Sequence, residues 1–286
     1  MMQREKVSDN VYVFQSELYA QVTASIVVGS EWAVAIDTLA YPEETLEIRD
    51  FVEQELKVPV RYVINTHYHA DHCWGNCYFP GALIISHQLC REYLLLHGGP
   101  SIEEARKQNN VFRQSKITLP HITFAEGELS LQVDDKVLKM MSLPGHSPDG
   151  IGVLIEEDKT LISGDIFMSL PYLVDGNIDV MIKSLKKIGK MDIKNIVQGH
   201  GGVILRGEVD RMIDDHLLYL STIRKIVNRA ARRDYPGEML DAASVEACGK
   251  ERVIMGGVAE ELHRRNLDAL YHQLYGEYPV YPDDEW

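Results

Sequence analysis

The sequence predicts an α/β protein in which two β-sheets pack face to face with helices on their outer sides. Three observations carry this. Short β-rich runs alternate with helical stretches in an order that occurs twice, no low-complexity tract divides the 286 residues, and a histidine cluster sits at the end of one predicted strand. With 45% hydrophobic and 25% charged residues, the chain can bury a sizeable core. The length allows one large α/β domain or two ordinary ones; without a linker, a single domain over 1–286 is preferred. A plain α/β arrangement competes with the two-sheet one, because direct repetition between the halves is weak.

The elements follow in order. NVYVFQ (10–15), TASIVVG (23–29) and WAVAIDT (32–38) are rich in Val, Ile and Tyr and read as hairpin-connected strands. Pro42 opens a helix over 42–56, with Glu43 and Glu44 suiting its first turn and Leu46, Ile48, Phe51, Val52 and Leu56 recurring at helical spacing. RYVINT (61–66) is a strand that stops at the first histidine of the cluster. ALIIS (82–86) is a strand, followed by helices at 87–97 and 101–113 broken at Gly98, Gly99 and Pro100. Strands are expected at 121–126, 128–133, 136–144, 151–157 and 159–165, with Asp134 and Asp135 as a turn. Helices are expected at 178–189 and 207–231 around a strand at 195–200, and in shorter pieces near 240–248 and 258–275. This last region is either a cap on the substrate side or a subunit contact.

Lys and Arg total 29 against 43 Asp and Glu, so most of the surface should repel nucleic acid and anionic bilayers. The opening MMQREKVSDN leads into no apolar run or cleavage site, and no stretch approaches 18 apolar residues. Four cysteines are too few for a disulfide framework. The expectation is a cytoplasmic protein with reduced thiols, a small-molecule substrate, no nucleic-acid or membrane partner, and a homodimer only as the commonest oligomer.

The chemistry is concentrated in Thr66-His67-Tyr68-His69-Ala70-Asp71-His72, of the form H-x-H-x-D-H. Four potential ligands in six positions are hard to attribute to coincidence. In an extended turn His67 and His69 can face one metal, while Asp71 and His72 turn toward a second position beside it. His146 in SLPGHSPDG, Asp165 in TLISGD and His200 in IVQGHGG each end a predicted strand in a glycine-rich turn, where backbone can bend around an ion.

These residues resemble the metallo-β-lactamase fold superfamily over about residues 10–210, with THYHADH, PGH (144–146), SGD (163–165) and GHG (199–201) in matching order. The resemblance implies a four-layer αβ/βα sandwich over 1–210 and a helical C-terminal extension over 211–286 in the same domain. It implies that His67, His69 and His146 hold one metal, that Asp71, His72 and His200 hold another, and that Asp165 bridges them. Zinc suits the oxygen and nitrogen donors, with iron or manganese as alternatives. Asp165 in place of the cysteine or serine arrangement argues against an antibiotic hydrolase, and His69 in place of glutamate argues against a di-iron redox protein.

The expected activity is hydrolysis of a small ester, lactone, thioester or amide by a metal-bridging hydroxide, which needs no side-chain nucleophile. Asp71 is the candidate to orient that hydroxide and pass on its proton, and Tyr172 to donate to an oxyanion. The alternatives are a phosphoric or sulfuric ester hydrolase, for which Arg91, Arg106, Arg113 or Arg206 would supply positive charge, and an iron-dependent sulfur dioxygenase. Asp37, Thr66 and Asp149 are candidates to support the ligands, and Tyr68 and Trp74 to wall the pocket. The i,i+4 pair Cys73 and Cys77 would share a helical face as a redox or metal pair, against the commoner role of small buried hydrophobes. His263 or His272 could reach the substrate channel, against a solvated helix surface. The aromatic tail with Tyr271, Tyr275, Tyr278, Tyr281 and Trp286 suits either an interface or a core.

Overall fold

A computed structural model describes residues 2–277 of the chain. Among them, strands β1 (Gln3–Ser8), β2 (Val11–Gln15), β3 (Thr23–Val28), β4 (Ala33–Ile36), β5 (Val60–Ile64), β6 (Leu83–His87) and β7 (Ile122–Phe124) form one sheet in chain order. The second sheet runs in reverse order from β13 (Val203–Ile204) through β12 (Asn195–Val197), β11 (Thr160–Ile162), β10 (Ile151–Ile155) and β9 (Lys136–Ser142) to β8 (Glu128–Val133). Val13, Val27, Ile36 and Ile64 of the first sheet meet Leu138, Met140, Val153 and Val197 of the second in one buried layer. This is the αβ/βα sandwich that the sequence predicts.

The outer faces are covered as helical periodicity requires. Helix α1 (Pro42–Asp50), extended by a π-helical turn at Phe51–Glu55, packs Ile48, Phe51 and Val52 on the first sheet. On the second sheet lie α5 (Ile178–Ile188) and, beyond residue 208, α6 (Val209–Ala230) and α8 (Ala259–Tyr275). Ile196, Met181, Ile223 and Leu267 share one apolar cluster, so the C-terminal helices pack into the same core as the second sheet's helical layer. Short helices α2 (Ala70–Cys73) and α7 (Pro236–Asp241) cap loops, and α3 (Gln88–Tyr93) and α4 (Gly99–Gln108) connect β6 to β7.

Two local expectations need correction, and one strand was not foreseen. The charged segment 3–8 is a strand on the edge of the first sheet, paired with β2, where its charges face water. Gly98, Gly99 and Pro100 do not break the helix. Both glycines keep right-handed helical angles through a π-helical turn at Leu94–Gly98, and Pro100 follows directly at the start of α4, its missing N–H falling at the change from π- to α-helical pairing. Gly98 admits the Ile117 side chain, which a Cβ would meet at 3.1 Å. The helix expected near 240–248 is α7 followed by a single turn at Glu246–Cys248. Within the aromatic tail Tyr271 is buried and Tyr275 donates to Asn228 Oδ1 (2.9 Å), while Tyr278, Tyr281 and Trp286 lie outside the described residues.

The topology places the chemistry. Strands β4 and β5 are parallel, so Asp37 and the Thr66–His72 turn leave the first sheet at the same end, tied by Asp37 N donating to Ile64 O at 2.8 Å. Strands β11 and β12 are parallel in the second sheet, so Asp165 and His200 leave it together, and Gly199 N donates to Gly164 O at 3.1 Å. Two parallel pairs thus point their carboxyl ends at one place. The PGHSPDG turn joins β9 to β10, and Ile151 N donates to Thr66 O (2.8 Å), fastening that turn to the first sheet.

Gly75, just after α2, shows how closely this end is packed: a Cβ there would come within 2.1 Å of Thr38 O and 2.6 Å of Thr45 Oγ1. Gly75→Ala is expected to destabilise the fold by about 1–3 kcal/mol, as overpacking does, and to lower the thermal midpoint. Gly237→Ala, which meets nothing within 4 Å, serves as the control and should leave the midpoint unchanged or higher.

Candidate metal centre

The seven donors singled out in the sequence converge into two adjoining groups, His67, His69, His146 and Asp165 in one and Asp71, His72 and His200 in the other. In the first, His69 Nδ1 lies 3.0 Å from both His67 Nε2 and His146 Nε2, and Asp165 Oδ2 lies 3.4 Å from His146 Nε2 and 3.7 Å from His67 Nε2. In the second, His200 Nε2 is 3.1 Å from Asp71 Oδ2, and His72 Nε2 is 3.8 Å from the same oxygen. Asp165 spans the groups, with Oδ2 3.3 Å from His200 Nε2 and Oδ1 3.2 Å from His72 Nε2. A tetrahedron of ligands at zinc–nitrogen distance has edges of about 3.3–3.4 Å, so these spacings suit donors around a cation.

Hydrogen bonding sets which nitrogen of each ring faces inward. His72 Nδ1–H donates to Asp37 Oδ2 (2.8 Å), His146 Nδ1–H to Tyr172 O (2.9 Å) and His200 Nδ1–H to Ala20 O (3.0 Å). Thr66 Oγ1 donates to Asp37 Oδ2 (2.6 Å) and accepts from His67 Nδ1–H (3.1 Å). His69 is turned the other way, donating from Nε2 to Asp175 Oδ2 at 3.0 Å. Four Nε2 atoms and one Nδ1 atom therefore point into the groups, and each offers its lone pair once it carries no proton. The buried His72 Nε2 and Asp165 Oδ1 face each other at 3.2 Å and have no other hydrogen-bond partner, which fits donors made for a cation.

The charges divide the two groups. Burial lowers His67 well below the usual histidine range and His146 to about 4, so both are neutral imidazoles. At His72 and His200 burial acts the same way but is overcome by Asp165 and its neighbours, which raise His72 well above the usual range and His200 to about 10. Asp71 is held down at about 2 because His72 and His200 outweigh its burial, and Asp165 is likewise held ionised.

The donors form the floor of a cleft of about 900 Å³. Tyr68, Trp74 and Tyr172 line it, as expected, and so do two residues that sequence reasoning missed, Tyr19 and Arg265. Tyr19 follows β2 in a loop whose backbone is held by the buried Glu44 carboxylate, which accepts from Ser16 Oγ, Glu17 N and Leu18 N. The Asp71 charge, with burial, pushes the Tyr19 phenol up to about 12. Arg265, on α8, donates to Glu261. Asp175 was missed too; its LVDG turn carries no spacing that ties it to a histidine 106 residues away.

Other expectations resolve differently. Asp37 and Thr66 support the ligands as expected. Asp149 is fully buried, and burial, partly countered by Ser147 and His69, raises its carboxyl. Cys73 and Cys77 do not pair: Cys73 is buried with Cys90 and donates to His67 O, while Cys77 accepts from Lys116 N. The helix containing Cys73 ends there, which separates the two thiols. None of Arg91, Arg106, Arg113 and Arg206 lines the cleft, and Arg91 and Arg106 are engaged with backbone carbonyls at Pro120 and Ser115. His263 is buried against Tyr219, and His272 is exposed with Gly276 O.

A sequence profile described as the metallo-beta-lactamase superfamily matches residues 20–200, which include all seven donors. The chain belongs to this superfamily. Among curated relatives, the beta-lactamase-like protein 2 homolog of Caenorhabditis elegans is 22% identical over 158 residues, 55% of this chain and 47% of its own. The lactamase-like protein nscB of Trichophyton rubrum is 24% identical over 200 residues, 68% and 55% of the two chains. The chain thus spans about half the length of these relatives. Among solved structures, a metallo-beta-lactamase from Pontibacter korlensis superposes with a TM-score of 0.59 at 19% identity, over 75% of this chain and 99% of its own. The inverting sec-alkylsulfatase Pisa1 from a Pseudomonas species superposes with a TM-score of 0.75 at 15% identity, over 99% of this chain and 52% of its own. Neither likeness says more than fold.

A cation entering the second group of this superfamily member must displace protons from His72 and His200. Its affinity should therefore rise with pH between 6 and 8, by up to about tenfold per unit for each proton displaced. Zinc competition titrations at the two pH values read this directly; an affinity that is flat or falls with pH would contradict the charge assignment.

Proposed function

We propose that the protein is a zinc-dependent hydrolase of a small ester, lactone, thioester or amide, with His67, His69 and His146 holding one cation, Asp71, His72 and His200 a second, and Asp165 bridging. The observation that carries the reading is the convergence of seven buried or half-buried donors, their lone pairs turned inward, at the floor of one open cleft. When bound there, two divalent cations lower the pKa of a water toward neutrality and polarise the substrate oxygen. Iron or manganese would also accept this donor set. Residues 1–210 and 211–286 are taken as one domain, supported by the apolar cluster the helices share with the second sheet. A cytoplasmic setting goes with the small number of cysteines, four in 286 residues.

The chain's own groups divide the remaining work. Asp71 faces the cleft with an ionised carboxylate, which orients the attacking water and receives its proton on the way to the leaving group. A carboxyl held near 2 is a weak base, so orientation is its main contribution. Tyr19 stays protonated through the neutral range and, with Tyr172, is placed to donate to the oxygen that gains charge. Leu18, Trp74, Leu94, Met168 and Val258 give the cleft apolar walls suited to an organic acyl group.

A sulfuric ester is the second reading. The superposition on the sec-alkylsulfatase includes the C-terminal helices, and Arg265 is the one arginine or lysine among the described residues that line the cleft. A panel of carboxylic esters, lactones and thioesters beside alkyl sulfates and phosphates separates the readings. Chelation should abolish turnover and zinc restore it. Asp71→Asn should lower kcat by about 10²–10⁴, and Tyr19→Phe by about 10-fold or more with little change in bound zinc. Full activity in metal-free protein would overturn the proposal.

A further inference from the structure

Three side chains from the C-terminal helices meet in an otherwise apolar layer. Asn266 on α8 is fully buried, Tyr219 OH on α6 accepts from Asn266 Nδ2 at 3.0 Å, and Tyr219 OH lies 3.0 Å from His263 Nδ1. An apolar residue at 266 would fill this layer without the cost of burying an amide. The amide is instead spent on the chain segment opposite it: Asn266 Nδ2 donates to Pro171 O (2.7 Å) and Asn266 Oδ1 accepts from Leu173 N (2.7 Å).

Between those two contacts stands Tyr172, whose carbonyl accepts the Nδ1–H of His146. Asn266 thus grips the backbone on both sides of the group that orients one donor. Three residues further on, Asp175 accepts from Nε2 of His69, the ring whose opposite nitrogen faces His67 and His146. The segment is fastened at its far end by Asn177 N donating to Gly145 O (2.9 Å), and Gly176 lies so close that a Cβ would meet Gly145 O at 2.1 Å. Residues 171–177 are therefore a strut from α8 to two of the three imidazoles of the first group. The second group is held elsewhere, His72 by Asp37 and His200 by Ala20 O.

We propose that Asn266 is a positioning residue for the first cation site, acting through the 171–175 backbone on His146 and His69, with Asp175 as the strut's second contact. This rests on the two-cation reading and adds that one side chain of the helical extension, outside the superfamily match, sets the geometry of the first site.

The test is stepwise zinc affinity, by chelator competition, of the full chain and its Asn266→Ala, Asn266→Asp and Asp175→Asn variants, with the electronic spectrum of the cobalt-substituted proteins. The step belonging to the first site is the one lost in His146→Ala. Asn266→Ala is expected to weaken that step about 10–100-fold, as loss of an outer contact does, to shift the cobalt bands, and to leave the second step within about twofold. Asn266→Asp keeps an acceptor for Leu173 N but sets a buried carboxylate oxygen against Pro171 O, so it should not restore the affinity, and Asp175→Asn should weaken the same step. Equal weakening of both steps, or a folded Asn266→Ala with the parent's affinities and spectrum, overturns the inference. If Asn266→Ala does not fold, an Asp175→Asn protein with an unchanged first step overturns it. A parent chain that takes up no cation refutes the two-cation reading itself, a result distinct from each of these.

Discussion

The arrangement depends on turning one nitrogen of each of five imidazoles inward. A neutral imidazole carries its proton on either nitrogen, and only the ring whose inner nitrogen is unprotonated offers a lone pair. Here the outer N–H of each ring is taken by an acceptor from a different part of the chain: Thr66 Oγ1, Asp175, Asp37, the Tyr172 carbonyl and the Ala20 carbonyl. Leaving such a buried N–H without an acceptor costs about 1–3 kcal/mol, enough to favour one tautomer strongly. The backbone is bent to provide them. Ala20 and Asp37 both have left-handed φ, 43° and 58°, a conformation that disfavours residues with a Cβ and that the surrounding packing must over-determine.

The two groups are not equivalent. His67 and His146 are neutral because burial dominates, whereas His72 and His200 keep protons because Asp165, Asp37 and Asp71 surround them. That explains how two ionised carboxylates remain buried without unfolding the sandwich: each has a positive partner within about 3–4 Å.

Most of the frame is legible in the sequence, because strand alternation and helical spacing are local properties and the sheet order follows from parallel connections needing helices between them. The donors are legible for a related reason. Five of the seven lie in turns directly after strands, and the glycines beside His146, Asp165 and His200 mark close backbone approach; a Cβ at Gly199 would strike Asp165. What the sequence hides is pairing between turns. Asp175 and Asn266 reach their partners across 106 and 93–95 residues with no motif to announce them. Tyr19 and Arg265 enter the cleft only because loops from opposite ends of the chain fold over it. The helix break expected at Gly98–Pro100 fails for a local reason, since glycine permits a helix as readily as it ends one when a neighbour such as Ile117 needs the room.

The superfamily match covers residues 20–200 and so contains every donor, yet much of the cleft's roof lies outside it. Leu18 and Tyr19 precede the match, and Met255, Val258, Leu262 and Arg265 follow it. Floor and roof are therefore separable in sequence: the floor fixes what bond chemistry is available, and the roof fixes which molecule reaches it. Through Asn266, however, the same helix that furnishes Arg265 and Leu262 to the roof also braces His146 and His69. On the proposed reading, a shift of α8 would alter the outline of the cleft and the backbone that accepts from His146 together, so one element touches both roof and floor.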